Sequence, residues 1–373
     1  MKPTKSADIR RTLTRQCANL GIPVQGTFEL TPRCNLRCKM CYVRMTPEQM
    51  APLGRERTTE EWLEFARSAV SQGLVFLLLT GGEPTLLPNF PDIYRGLMRM
   101  GLSISVNTNG TLLTPALRRL WHELPPAQVN VTLYGTCRED YRELCGDANA
   151  FDRVTEALEW LREEGILVHL NTTIAPSNVA HWKELEDFAR ERGLELRMTS
   201  YCFPPARRSV CDACADFGRL PPEEAGHMIV KDILYREGPQ AVLRRAEAID
   251  TPVQNSCELD IGEPMKCMAG RSQFWVNWNG TMTPCGMLAE PVAHPFEEGF
   301  PNAWTKLKEQ TQKITLCPDC VSCPDSASCM NCAAVTYTET GRFDGKPEYM
   351  CKMNRAYRDA VLSFARQHSE NNQ

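Results

Sequence analysis

Three cysteines are the part of this 373-residue chain best placed to do chemistry. Cys34, Cys38 and Cys41 stand four and then three residues apart in the run Cys34-Asn-Leu-Arg-Cys38-Lys-Met-Cys41. One loop can bring such a set to a single cluster, and soft thiolates are the ligands that sulfur-bridged iron takes. A [4Fe–4S] cluster has four irons, so three protein ligands leave one iron open to a substrate or cofactor. An open iron serves chemistry and adds nothing to electron storage. Zinc is the structural alternative, but it normally needs a fourth ligand nearby. No His, Cys, Asp or Glu follows Cys41 within a few residues.

Nine of the eighteen cysteines fall from Cys257 onward. Twelve residues separate Cys267 from Gly280, and four more lead to Cys285. Cys320-x2-Cys323-x5-Cys329-x2-Cys332 follows, with Cys351 eighteen residues further on. A pair of zinc ribbons would use the CxxC units too. The segment is expected to need metal to fold, because its apolar content looks too thin for a core. Cys17, Cys137, Cys145, Cys202, Cys211, Cys214 and Cys317 stand apart and read mostly as small buried hydrophobes. Among them Cys211-x2-Cys214 could bind metal or be redox-active, and Cys317 competes with Cys320.

The elements that must position these residues alternate. Strands are expected at Val24–Leu30, Leu74–Leu79, Leu102–Val106, Gln128–Leu133, Leu167–Thr172 and Glu195–Ser200. Helices are expected at Thr58–Gln72, Asn89–Met100, Pro115–Glu123, Phe151–Glu164 and His181–Arg192. Thr58 and Glu61 suit a capping box, and Trp62, Phe65, Ala66, Ala69 and Val70 form an apolar stripe. Such spacing implies parallel strands with right-handed crossovers, and periodicity alone leaves barrel and open sheet undecided. The polar punctuation decides for a partial barrel. The cysteine loop, Gly81-Gly82-Glu83-Pro84, Asn107-Thr108-Asn109-Gly110, Tyr134-Gly135, Asn171-Thr172-Thr173 and Tyr201-Cys202 all fall at carboxyl ends, where barrel enzymes build their sites.

Apolar content of 42% and charged content of 24% are those of a soluble globular protein. A net charge of −4 and the lack of a long basic run argue against nucleic acid; Arg207-Arg208 reads as a solvated loop. The polar N-terminus has no secretory h-region, and Leu74–Leu79 is far too short to span a membrane. Eighteen cysteines without a secretory signal point to metal ligands in a reducing cytosol, so the chain is expected to be cytoplasmic.

The CxxxCxxC spacing, with GGEP one β/α unit later, resembles radical S-adenosylmethionine (SAM) enzymes. The later cysteines resemble the SPASM domain, an extension that carries auxiliary [4Fe–4S] clusters. The resemblance implies a partial (β/α)6 TIM-like barrel of α/β class with a C-terminal cysteine-rich iron–sulfur domain. Its divisions would be an N-terminal segment 1–22, the barrel 23–203, a bridge 204–256 and the SPASM domain 257–373. Two departures stand out: Met40 occupies a position often aromatic, with Tyr42 available for adenine instead, and the Cys329–Cys332 spacing is one residue short.

By the same resemblance, Gly81, Gly82 and Glu83 hold the methionine end of SAM, the carboxylate accepting from its ammonium. Asn109, Thr132 and Arg142 lie where ribose and carboxylate are contacted, although Asn109 could hold a turn and Arg142 a surface ion pair. Cys267, Cys285 and Cys332, with Cys257 as fourth ligand, would hold an inner auxiliary cluster. Cys320, Cys323, Cys329 and Cys351 would hold an outer one. Cys202 is the candidate hydrogen-atom donor. The implied reaction cleaves SAM to a 5′-deoxyadenosyl radical that abstracts hydrogen from an unactivated carbon. The expected substrate is a peptide or protein, given a thioether or carbon–carbon cross-link or an oxidised side chain as in ribosomal peptide maturation. The alternative is a small-molecule or cofactor-biosynthetic oxidase of haem type. The sulfatase-maturing branch is disfavoured because Gly286, not a carboxylate, follows Cys285. A flavodoxin- or ferredoxin-type electron donor is implied. With about twenty residues before the first strand, leader recognition would fall to a separate partner or to the bridge.

Overall fold

The computed structural model describes residues 6–204, 218–250, 267–320, 323, 325 and 328–370. Arg207, Arg208, Cys211, Cys214 and Cys257 lie outside them. Two compact units share the chain: Met1–Asn171 with Cys267–Lys313, and Thr172–Lys266 with Ile314–Gln373.

The first unit opens with α1 (Ser6–Leu20) and β1 (Gln25–Glu29). The short α2 (Pro47–Met50), α3 (Thr59–Ser71), β2 (Phe76–Thr80), α4 (Phe90–Met98) and β3 (Ser103–Thr108) follow. Next come α5 (Pro115–Glu123), β4 (Gln128–Thr132), α6 (Arg138–Cys145), α7 (Ala150–Glu163) and β5 (Val168–Thr173). Strands β1 to β5 pair in parallel and in chain order. The second unit begins with α8 (Trp182–Glu191) and β6 (Glu195–Thr199). Within this unit the Ile174 N–H donates to Thr199 O of β6 at 2.8 Å. The expected strands and helices are present, in the partial (β/α)6 arrangement with a mostly parallel sheet.

Local rules account for the boundaries. The Thr58 hydroxyl accepts from the Glu61 N–H while the Glu61 carboxylate accepts from the Thr58 N–H, the anticipated capping box of α3. Trp62, Phe65, Ala66 and Ala69 are its buried stripe. Phe28 of β1 stacks on Trp62 at 5.0 Å, which starts an aromatic core.

That core continues in the later segment. β7 (Gln273–Val276) pairs parallel to β1 and β8 (Met282–Thr283) antiparallel to β7; α11 (Pro295–Glu298) and α12 (Phe300–Thr311) come next. Phe274, Phe300 and Trp304 are buried, and Phe296 stacks on Phe65 at 5.0 Å. The expectation that the chain after Cys257 is too poor in apolar residues for a core is corrected for 267–313. Its aromatic residues extend the barrel's own core rather than building a separate one.

In the second unit α9 (Pro222–Glu237), α10 (Pro239–Asp250) and α14 (Glu348–Glu370) pack around Val230, Ile233, Ala241, Val242, Ala246 and Val361. A Cβ on Gly226 would lie 2.3 Å from the Met353 carbonyl, so glycine sets how closely α9 meets α14. α13 (Ala333–Thr340) brings Glu339 to Arg219 and Tyr201. Among the described residues, no helix is long and apolar enough to cross a membrane.

Candidate functional site

The β1–β2 ladder does not stop where the strands end. The Gly82 N–H donates to Thr31 O at 2.7 Å and the Glu83 N–H to Arg33 O at 2.9 Å. The GGEP turn is thereby fastened to the backbone just ahead of Cys34. A Cβ at Gly81 would lie 2.3 Å from Thr31 O, and one at Gly82 2.3 Å from Arg33 O. The two glycines are therefore required by the approach of the chain to itself. Arg33 is held in turn by Glu56, which accepts from Nε at 2.9 Å, from a terminal nitrogen at 2.7 Å and from the Thr31 hydroxyl.

The other end of the cysteine loop is clamped by α6. Arg37 N–H donates to Cys145 O and Lys39 N–H to Leu144 O, both at 3.0 Å, so carbonyls of its last turn bracket Cys38. Cys41 N–H donates to Cys38 O at 3.1 Å, closing a tight turn between the second and third cysteines. Leu36, 1% exposed, anchors the loop to the core. All three cysteines remain partly accessible.

The electrostatics show three thiols sharing one neighbourhood. Burial pushes Cys34 up to about 12; the Leu36 N–H opposes this, while Glu83, Cys41 and Cys38 add repulsion. Cys38 is lowered, chiefly by a hydrogen bond from the Cys145 thiol and further by the Tyr134 hydroxyl. Backbone N–H groups of Leu36 and Arg44 point at Cys34 Sγ and Cys41 Sγ, at 3.4 and 3.3 Å. N–H donors aimed at sulfur suit thiolates that bind iron. A cluster takes one thiolate per iron, and three thiols with N–H donors aimed at two of their sulfurs are a donor set that fits it.

Glu83 is 0% exposed. Its oxygens accept from Thr85 N–H at 3.1 Å, the Thr85 hydroxyl at 2.6 Å, the Thr108 hydroxyl at 2.9 Å and Asn109 N–H at 2.7 Å. Burial pushes its pKa up, and these donors oppose the shift. The carboxylate acts as a tie between the ends of β2 and β3. Asn109 is brought to Cys34: its side-chain N–H2 faces Cys34 Sγ at 3.6 Å and Asn35 Oδ1 at 3.0 Å. Asn35, Thr108 and Thr111 join this network without having been singled out in the sequence. The signal that could have found two of them is the polar run Asn107 to Thr111 at a strand's carboxyl end.

Tyr42, one residue past the loop, is partly buried, and Thr132 is half-buried at the end of β4. Arg142 is on α6, 63% exposed and paired with Glu139. Cys202 follows β6 and is buried, and burial raises its thiol pKa against the pull of Arg219.

Cys267 and Cys285 are in the first unit, and Cys332, at the start of α13, is in the second. Cys317, Cys320, Cys323, Cys329 and Cys351 share the second unit and repel one another as thiolates. Cys320 is pushed up to about 12 by burial and then by Cys317, Cys329 and Cys351. Cys329 is pushed up to about 11 by burial, with Cys351 and Cys323 adding to it. Bound cations would relieve that crowding.

Residues 28–189 match the Radical SAM superfamily. An AdoMet-dependent heme synthase of Methanosarcina barkeri is 27% identical over 85% of this chain and 93% of its own length. Among solved structures, Streptococcus suis SuiB bound to its precursor peptide SuiA covers 92% of this chain and 80% of its own, at 17% identity and TM-score 0.66. Native anSMEcpe with bound AdoMet covers 94% of this chain and 100% of its own, at 15% identity and TM-score 0.67. Residues 28–189, which hold the three-cysteine loop fastened to the double-glycine turn, are a radical SAM domain, and the chain is a radical SAM enzyme.

Proposed function

We propose that the chain cleaves SAM at a [4Fe–4S] cluster held by Cys34, Cys38 and Cys41 and takes hydrogen from an unactivated carbon of a peptide or protein. The product would be a cross-link or an oxidised side chain. The observation that carries the reading is the three-cysteine loop, in which Cys38 takes a hydrogen bond from the buried Cys145 thiol. When bound, the cluster and SAM supply the electron transfer and the 5′-deoxyadenosyl radical.

The chain's own residues supply position. Gly81 and Gly82 keep the turn against the loop, and with Glu83 they are assigned to the methionine end of SAM. Tyr42 is assigned to adenine, and Thr132 and Arg142 to ribose and carboxylate. Cys267, Cys285, Cys332 and Cys257 would hold one auxiliary cluster, and Cys320, Cys323, Cys329 and Cys351 another; either would accept the electron that makes the net reaction oxidative. The buried Cys202 thiol would serve the other outcome, a redox-neutral one, in which the carbon radical takes its hydrogen in place of losing an electron and a reduced auxiliary cluster returns an electron and solvent a proton to the sulfur. A flavodoxin- or ferredoxin-type protein would deliver the first electron, in the cytoplasm.

The peptide reading is supported by the fold shared with SuiB, seen bound to a precursor peptide. A porphyrin substrate is the second reading, favoured by the haem synthase that matches along 93% of its length. Deuterium transfer into 5′-deoxyadenosine separates them. The reconstituted chain, SAM and dithionite are mixed with deuterated peptides extracted from the producing cells, or with a side-chain-deuterated iron porphyrin. Label from the peptides alone supports the proposal; label from the porphyrin alone overturns it for the second reading.

A further inference from the structure

We propose that Asn109, locked in place by Asn35 and Thr111, donates a hydrogen bond to Cys34 Sγ and raises the reduction potential of the cluster held by the three cysteines. The inference rests on the reading that Cys34, Cys38 and Cys41 hold iron.

Asn109 is 4% exposed at the end of β3, and its orientation is fixed by its partners. Oδ1 accepts from the Thr111 N–H at 2.9 Å and from the Thr111 hydroxyl at 2.6 Å. A backbone N–H can only donate, so the amide nitrogen must lie on the opposite side. There Nδ2 donates to Asn35 Oδ1 at 3.0 Å and reaches Cys34 Sγ at 3.6 Å. Asn35 Nδ2 donates to Thr111 Oγ1 at 2.8 Å and closes a ring of three side chains. Glu83 fixes the backbone behind it through the Asn109 N–H at 2.7 Å.

All four hydrogen-bonding positions of the Asn109 amide are thus filled by the chain, two as acceptor and two as donor. In this network Asn109 is a positioning residue for a ligand sulfur. Together with the Leu36 N–H at 3.4 Å, it gives Cys34 two N–H donors. Donors to a ligand sulfur favour the electron-rich reduced cluster and so raise its potential.

The test is a redox titration of the reconstituted holoenzyme followed by EPR. The signal that changes when SAM is added identifies the open-iron cluster among any others. Asn109→Ala is expected to lower its midpoint, making reduction about three- to tenfold less favourable, the worth of one hydrogen bond; tenfold is about 59 mV for one electron. Thr111→Val, which removes one of the two donors to Oδ1 and keeps the Thr111 N–H, is expected to shift the midpoint little. A wild-type midpoint in Asn109→Ala overturns the proposal. If Asn109→Ala fails to hold iron, Asn109→Asp, of the same shape without the N–H2, takes its place, and a wild-type midpoint there overturns it instead. A wild-type enzyme with no SAM-sensitive signal sinks the three-cysteine reading, and this proposal with it.

Discussion

The N–H of Gly82 meets the carbonyl of Thr31 at 2.7 Å, three residues ahead of Cys34. The glycine turn and the cysteine loop are one backbone assembly, and side-chain volume at Gly82 would separate them. Gly82→Ala is expected to destabilise the fold by about 1–3 kcal/mol, as overpacking does, and to lower iron retention. Thermal unfolding of the apo-protein and iron per chain after reconstitution check both. An alanine variant with normal stability and iron would show that the turn is not clamped this way.

Glu83→Gln tests the tie between β2 and β3. Four donors converge on that carboxylate, and an amide N–H2 would face some of them. Leaving buried donors unpaired costs about 1–3 kcal/mol each, so a loss of about 2 kcal/mol is expected in denaturant unfolding. Unchanged stability would mean the donors find other partners.

Tyr201→Phe and Glu339→Ala should differ in size. The phenol makes one hydrogen bond to Glu339, at 2.7 Å, and its loss is expected to cost about 1 kcal/mol. Glu339 is 7% exposed and also takes a two-pronged bond from Arg219, whose guanidinium lies 3.8 Å over the Tyr349 ring. Removing it strands a partly buried cation, at a cost of about 3 kcal/mol. Equal losses in urea melts would contradict this ordering.

Glu186 on α8 sets a pH dependence. Burial and then the charge of Asp232 push it up to about 7, against the opposing charge of Arg236. A carboxyl raised in the folded state favours folding while protonated. Its contribution is complete below the ordinary value of 4.5 and is lost as pH rises through about 7. Glu186→Gln should therefore gain Tm relative to the native chain between pH 5 and about 8. A Tm difference that does not change over that range would rule the shift out.

The barrel was legible because its strands and helices carry clean periods: Leu77 and Leu79 are buried in β2, and Trp62 and Phe65 are a helical turn's spacing apart on α3. α6 was not anticipated, since Arg138–Cys145 is mostly charged and buries few apolar residues. β7 is only four residues long, so its alternation is too short to stand out beside the cysteines. Phe274, Phe300 and Trp304 declare themselves only when β1 and α3 are there to meet them. In the site, cysteines and glycines were readable because few residues can replace them. Asn35, Thr111 and Glu56 were not, because ordinary polar residues acquire meaning from partners: Asn35 meets Thr111 across 76 positions of sequence. For the same reason the hydrogen-bond partners of Glu83 and Asn109 within the chain were not readable from the sequence.

The most direct measurement is 5′-deoxyadenosine formed from SAM under dithionite, comparing the native chain with one in which Cys34, Cys38 and Cys41 are all alanine. Iron, sulfide and zinc are counted in both. The native chain should form 5′-deoxyadenosine and hold about twelve irons, four per cluster. The triple variant should lose the product and about four irons while keeping the rest. Product formation persisting in the triple variant would contradict radical chemistry at this loop.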